Sequence, residues 1–141
     1  MNERSRPADP RYGLLKPVAL LTASDTIAAV ATAVAPGQGG IAVIRISGPA
    51  AEQTGRAVVH CPGQQKWASH RILYGHVADA TGQQRLDEVL LLLMRQPRSF
   101  TGEDVVEIHC HGGLIAVQQV LERVLAQPGV RRALPGEFSQ R

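Results

Sequence analysis

Only two cysteines, Cys61 and Cys110, occur in the 141 residues. That is too few for a disulfide framework, and a reducing cytoplasm is the expected compartment. Long apolar runs are missing as well. No stretch approaches the roughly 20 residues that a membrane span requires, so no spanning segment is expected. Strong charge of one sign is also lacking once the first 24 residues are set aside. Those residues place Arg4, Arg6, Arg11 and Lys16 against Glu3 and Asp9, which accounts for +2 of the formal +3. The remainder is close to neutral, a poor footprint for gripping the nucleic-acid backbone. The run Val18-Ala19-Leu20-Leu21 follows positive residues, but it is short for a secretory or transit segment and has no convincing cleavage site. Internal repeats and low-complexity blocks are absent too.

What remains is a chain with 44% hydrophobic residues, enough to build one core. The pattern predicts a disordered extension over residues 1–24 and one domain over 25–141. Within that domain, strands are predicted over 26–34 and 41–46, joined through Ala35-Pro36-Gly37-Gln38-Gly39-Gly40. Ser47-Gly48-Pro49 reads as the cap and first position of a helix running to about residue 59. Alternation returns over 71–78, a continuous apolar run covers 89–94, and a half-buried strand covers 104–111. A helix over 114–126 stops at Pro128-Gly129, and a last strand is predicted over 130–134. This order gives an α+β domain with a mixed β-sheet and two to three helices. Pro135-Gly136-Glu137-Phe138 reads as a loop about to feed another element, so the chain is expected to be a piece of something longer.

The chemistry concentrates between Asp104 and His111, where Val106, Ile108 and Cys110 alternate with Glu107, His109 and His111. One face of that strand packs and the other presents a carboxylate and two imidazoles. A metal site is one reading, yet alternate residues on a strand are about 6.5–7 Å apart, too far for three ligands to converge. A second reading makes Glu107 an acceptor for two parallel N–H groups on a planar ring such as a pterin or guanine. For His111-Gly112-Gly113 the favoured reading is a strand-to-helix turn in which the imidazole bonds backbone. Arg45 interrupts the apolar run Ile41-Ala42-Val43-Ile44-Arg45-Ile46, where a buried, unpaired guanidinium would cost several kcal/mol. It is either solvated on an open sheet face or a forked donor for a carboxylate or ring.

The glycines at 37, 39 and 40 meet neither the P-loop nor the dinucleotide fingerprint, because a strand follows them. They suit a hairpin turn, or a backbone closing over a flat ligand or a neighbouring subunit. Thr101-x-x-Asp104 has capping-box character, and Asp87-Glu88 reads as the solvated start of a strand. His60, His70 and His76 show no ligand spacing and receive no role.

Six blocks stand in order along the chain: Asp25-Thr26-Ile27-Ala28-Ala29, Pro36-Gly37-Gln38-Gly39-Gly40-Ile41, Ile44-Arg45-Ile46-Ser47-Gly48, Ser99-Phe100-Thr101-Gly102-Glu103-Asp104-Val105-Val106-Glu107, His111-Gly112-Gly113 and Pro135-Gly136-Glu137-Phe138-Ser139. Together they resemble the N-terminal domain of the MnmE (TrmE) family of tRNA-modification GTPases. The resemblance implies a domain that dimerises and binds a tetrahydrofolate derivative, 5-formyl- or 5,10-methylene-tetrahydrofolate. That ligand is the one-carbon donor for 5-carboxymethylaminomethyl modification of the tRNA wobble uridine. The family's folate-site arginine and glutamate fall on Arg45 and Glu107. Glu107 would accept from the amino-pterin edge, and Arg45 would donate to the ring or to the folate's glutamate tail. The resemblance also implies a further site lysine beyond Arg141 and a cytoplasmic, FAD-dependent flavoprotein partner of the MnmG/GidA type. GTP, Mg²⁺ and K⁺ would bind in family domains that lie outside this chain, which alone should not hydrolyse GTP. Two alternatives stay open: an assembly module without ligand, and a metal site at His109 and His111.

Overall fold

A computed structural model of the chain describes residues 25–32 and 40–141. The predicted disordered extension and the glycines at 37 and 39 lie outside the described residues. The elements are β1 (Thr26–Val30), β2 (Ala42–Ser47), α1 (Ala51–Val58), β3 (Val59–His60), β4 (Arg71–Ala78), β5 (Arg85–Met94), β6 (Val105–Cys110), α2 (Gly113–Leu125), β7 (Val130–Arg132) and α3 (Glu137–Gln140). Among the described residues seven strands form one sheet in the order β3-β4-β5-β6-β2-β1-β7. Every neighbouring pair is antiparallel except β1 with β7, so the sheet is mixed and the fold is α+β. Among the described residues no helix is long and apolar enough to cross a membrane.

Period-two alternation decides which side of the sheet packs. Ile44, Ile46, Leu91, Leu93, Val106 and Ile108 are fully buried and share one cluster with Val117, Val120 and Val124 of α2 and Val58 of α1. Each such aliphatic side chain contributes about 1.5–3 kcal/mol by leaving water. Val43, Arg45, Glu107 and His109 occupy the alternate positions and stay half-buried on the opposite face. Helices α1 and α2 therefore cover one side, and Arg45 and Glu107 stand on the other.

The structure corrects several local predictions. Ser47 does not cap a helix; it ends β2, and its hydroxyl meets Thr101 Oγ1 at 2.7 Å and donates to Glu103 Oε2 at 3.0 Å. The Ala50 N–H at the start of α1 donates instead to Thr26 Oγ1, at 2.8 Å. Thr101 and Asp104 form no capping box, since no helix starts there, and Asp104 Oδ1 accepts from the Gln96 N–H at 2.8 Å. Val59–His60 leaves α1 as a two-residue edge strand. Strand β5 begins at Arg85 because β4 pairs with it as far back as Ala78. Strand β1 ends at Val30, with Ala31 and Thr32 outside it, and residues 33 and 34 of the predicted strand lie outside the described residues.

Gly48 joins β2 to α1 with φ +137°, and a Cβ there would lie 2.7 Å from Thr26 Cα and 2.8 Å from Asp25 O. Both obstacles are backbone atoms that cannot swing away. Gly48→Ala is expected to lower stability by about 2–3 kcal/mol, through strain and the close contact together. Urea unfolding measures this, and a loss under about 0.5 kcal/mol would contradict the packing described here.

Candidate ligand-binding site

Strands β2 and β6 pair so that Arg45 stands directly opposite Glu107. The Arg45 Nε donates to Glu107 Oε2 at 3.0 Å, and Nη2 lies 2.9 Å from the same oxygen. With side-chain exposures of 22% and 14%, the pair is too sheltered to be treated as an ordinary surface ion pair. The ring of Phe100 lies 4.8 Å from the guanidinium carbon and that of Phe138 lies 5.6 Å from it, both within cation–π range. The sequence reading left open whether Arg45 is solvated or engaged, and the structure shows it engaged by one carboxylate and two rings. Neither phenylalanine was singled out beforehand as a site residue.

Phe138 reaches this position through an ionic cluster behind it. Gly136 adopts a left-handed conformation, φ +75°, which turns Glu137 inward until it is 3% exposed. There Arg131 Nη1 donates to Glu137 Oε1 at 2.8 Å and Nη2 donates to Oε2, while the Leu134 N–H donates to Oε1 at 2.8 Å. Arg131 Nε also donates to Asp25 Oδ2, at 3.1 Å, which ties this segment to the start of β1. The hydrogen bonds from Arg131 hold the Glu137 carboxyl down at about 2, against the opposing effect of burial. Arg141 adds a contact of Nη2 to Glu137 Oε2 at 3.4 Å and a hydrogen bond from Nη1 to Glu103 Oε2 at 3.1 Å.

Beyond the ion pair, the register continues the row through Leu92 to Ile72. The next row holds Val43, His109, Leu90 and Tyr74. Ile72 and Phe100 are 67% and 62% exposed, an unusual apolar display around a charged centre. His109 Nε2 lies 3.5 Å from Glu107 Oε1, is shielded from solvent and has no hydrogen-bond partner. An open cleft of about 380 Å³ starts at Leu90, the cross-strand neighbour of His109, and is also lined by Tyr74, Glu88 and His111. A larger hollow of about 500 Å³ lies at the far edge of the sheet, among Arg56, Trp67 and Arg123, and includes neither Arg45 nor Glu107.

His111 behaves as the turn residue that its position suggested. Its Nδ1 lies 3.2 Å from the Glu88 carbonyl oxygen. Its own N–H and that of Gly112 donate to Asp87 Oδ2 at 2.8 and 3.0 Å. Asp87, near the start of β5, thus also accepts from the turn that leads into α2. With His111 committed to this turn, the metal alternative loses its ligand set: among the described residues no three His, Cys, Asp or Glu side chains gather to hold an ion. Burial, aided by the charge of Asp87, pushes the Cys110 thiol up to about 12, so it does not supply a thiolate at neutral pH.

Comparison with known proteins identifies the family. The family model described as GTP-binding protein TrmE N-terminus matches residues 26–141. A tRNA modification GTPase MnmE of Parasynechococcus marenigrum (strain WH8102) is 83% identical over 121 residues, covering 86% of this chain and 27% of the relative. The protein of that name from Synechococcus sp. (strain CC9605) is 81% identical over 121 residues, with the same coverage of 86% and 27%. That from Prochlorococcus marinus (strain MIT 9303) is 81% identical over 116 residues, covering 82% of this chain and 25% of the relative. The chain spans about a quarter of the length of the curated relatives it matches. With the Arg45-bearing β2, the Glu107-bearing β6 and the inward-turned Glu137 all inside the matched span, the chain belongs to the TrmE N-terminus family, the N-terminal domain of tRNA modification GTPases of the MnmE type.

Proposed function

We propose that this domain binds a tetrahydrofolate one-carbon donor, 5-formyl- or 5,10-methylene-tetrahydrofolate, at Arg45 and Glu107, and that it pairs with a second copy of itself. The observation that carries the reading is the Arg45–Glu107 pair, with Phe100 and Phe138 beside the guanidinium, on the face of the sheet opposite α1 and α2. A flat, polar heterocycle needs a fixed acceptor, a forked donor and aromatic walls, and this arrangement offers all three. Exposed Ile72 and Tyr74 on the same face favour the second copy as cover. In the longer relatives the donor would serve modification of the tRNA wobble uridine. GTP, Mg²⁺, K⁺ and contact with tRNA and an FAD-dependent flavoprotein would belong to the complete assembly.

Calorimetric titration of the folded chain with 5-formyltetrahydrofolate tests the proposal. The expected result is saturable binding with one site per chain, accompanied by a dimer in sedimentation. A dimer that takes up no folate would favour the assembly module instead.

A further inference from the structure

Two polar atoms of the site lie side by side. Arg45 occupies Glu107 Oε2 with both Nε and Nη2, while among the described residues the neighbour of Oε1 is His109 Nε2. His109 Nε2 is buried and unpartnered. Their separation of 3.5 Å exceeds the usual 2.7–3.2 Å of an N–H···O bond, so they flank one another without closing. An unmet buried polar group such as His109 Nε2 is costly, and an arriving ligand group can relieve it. The tautomer assigned to His109 puts the proton on Nε2, since a lone pair there would be repelled by the facing carboxylate oxygen. The neighbours across the strands are Val43 on β2 and Leu90 on β5, so no other charged side chain stands directly beside the imidazole in its row.

We infer that His109 is a specificity-determining residue of this site: Glu107 Oε1 and His109 Nε2–H together read a lactam edge, an N–H beside a C=O, on the bound ring. The inference rests on the folate reading and narrows it. In a 2-amino-4-oxopteridine the ring N3–H donates to Oε1 and the C4 carbonyl accepts from Nε2–H. In a 2,4-diamino ring both partners are reversed, so acceptor meets acceptor and donor meets donor. A site built to pair with one polar pattern rejects its inverse strongly.

The test is a titration of the chain with 5-formyltetrahydrofolate and with its 4-amino-4-deoxy counterpart. The unsubstituted chain is expected to prefer the 4-oxo compound by about 100-fold. His109→Leu should cut that ratio to about tenfold, by weakening 4-oxo binding and sparing 4-amino binding, the remaining preference belonging to Glu107 Oε1 facing the ring N3. His109→Gln, whose amide nitrogen still donates, should restore the preference. As a check that needs no substitution, ¹⁵N-histidine spectra should show the His109 Nε2–H protected from exchange by the 4-oxo compound and left unprotected by the 4-amino one. An unchanged ratio in folded His109→Leu, or equal protection by both compounds, overturns the role of His109 and leaves the folate reading standing. Failure of the unsubstituted chain to bind either compound overturns both.

Discussion

Replacing Glu137 with glutamine is expected to lower the stability of the domain by about 3 kcal/mol at neutral pH, with most of that difference gone near pH 2. The side chain is buried, both carboxylate oxygens accept from Arg131, and the Leu134 N–H adds a third donor. A glutamine keeps one acceptor oxygen but leaves the guanidinium facing an amide. The folded carboxyl sits at about 2 instead of its usual 4.5. An acid depressed on folding binds fewer protons in the folded chain. Its stabilisation is therefore complete above about pH 4.5 and disappears as pH falls through about 2, a span worth on the order of 3 kcal/mol. Urea unfolding of both proteins at pH 7, 4 and 2.5 separates this effect from the titration of other carboxylates, which the two chains share. A gap between them that stays constant over that range would contradict the linkage. Because Phe138 follows Glu137 directly, the variant should also lose part of the aromatic wall over Arg45.

Glu107→Gln is expected to weaken binding of 5-formyltetrahydrofolate by at least about 100-fold while the domain stays folded. Truncating one member of a sheltered, hydrogen-bonded charge pair costs about 2–5 kcal/mol in binding, much of it from the partner left behind. Arg45 would be that partner, with two aromatic rings against it and no carboxylate across the strand. Arg45→Leu should weaken binding to a similar degree, because it frees Glu107 Oε2 to repel electron-rich ring atoms. The double substitution should cost less than the sum of the two, since each residue acts through the other. Calorimetry on all three chains checks this, and additive losses would show that the two residues meet the ligand independently.

Much of the framework was legible because strands β2 and β6 write their faces in strict alternation. Ile44 and Ile46 against Arg45, and Val106 and Ile108 against Glu107 and His109, announce which side packs. Register was not legible, since nothing local says that Arg45 meets Glu107 across 62 positions of chain. The two phenylalanines were missed for the same reason: Phe100 sits in a loop and Phe138 in a helix of four residues, with no periodicity to mark either. Asp87 had a signal that went unused. The turn at His111-Gly112, just ahead of a helix with no side-chain cap of its own, presents N–H groups that require an acceptor from elsewhere. Val59–His60 escaped because two residues carry no period, and the edge strand exists only because Gly75 lets its backbone approach closely.

The Arg45–Glu107 pairing has a consequence for folding as well as for ligands. Sliding β2 by one residue against its neighbours would turn Ile44 and Ile46 to water and drive a guanidinium in among Leu91, Val106 and Ile108. Sliding it by two would keep the faces but set Arg45 opposite Val105 or His109, stranding the carboxylate. The charged row thus acts as an index mark on an otherwise slippery set of valines, leucines and isoleucines, and the nascent sheet has one alignment in which that mark is met.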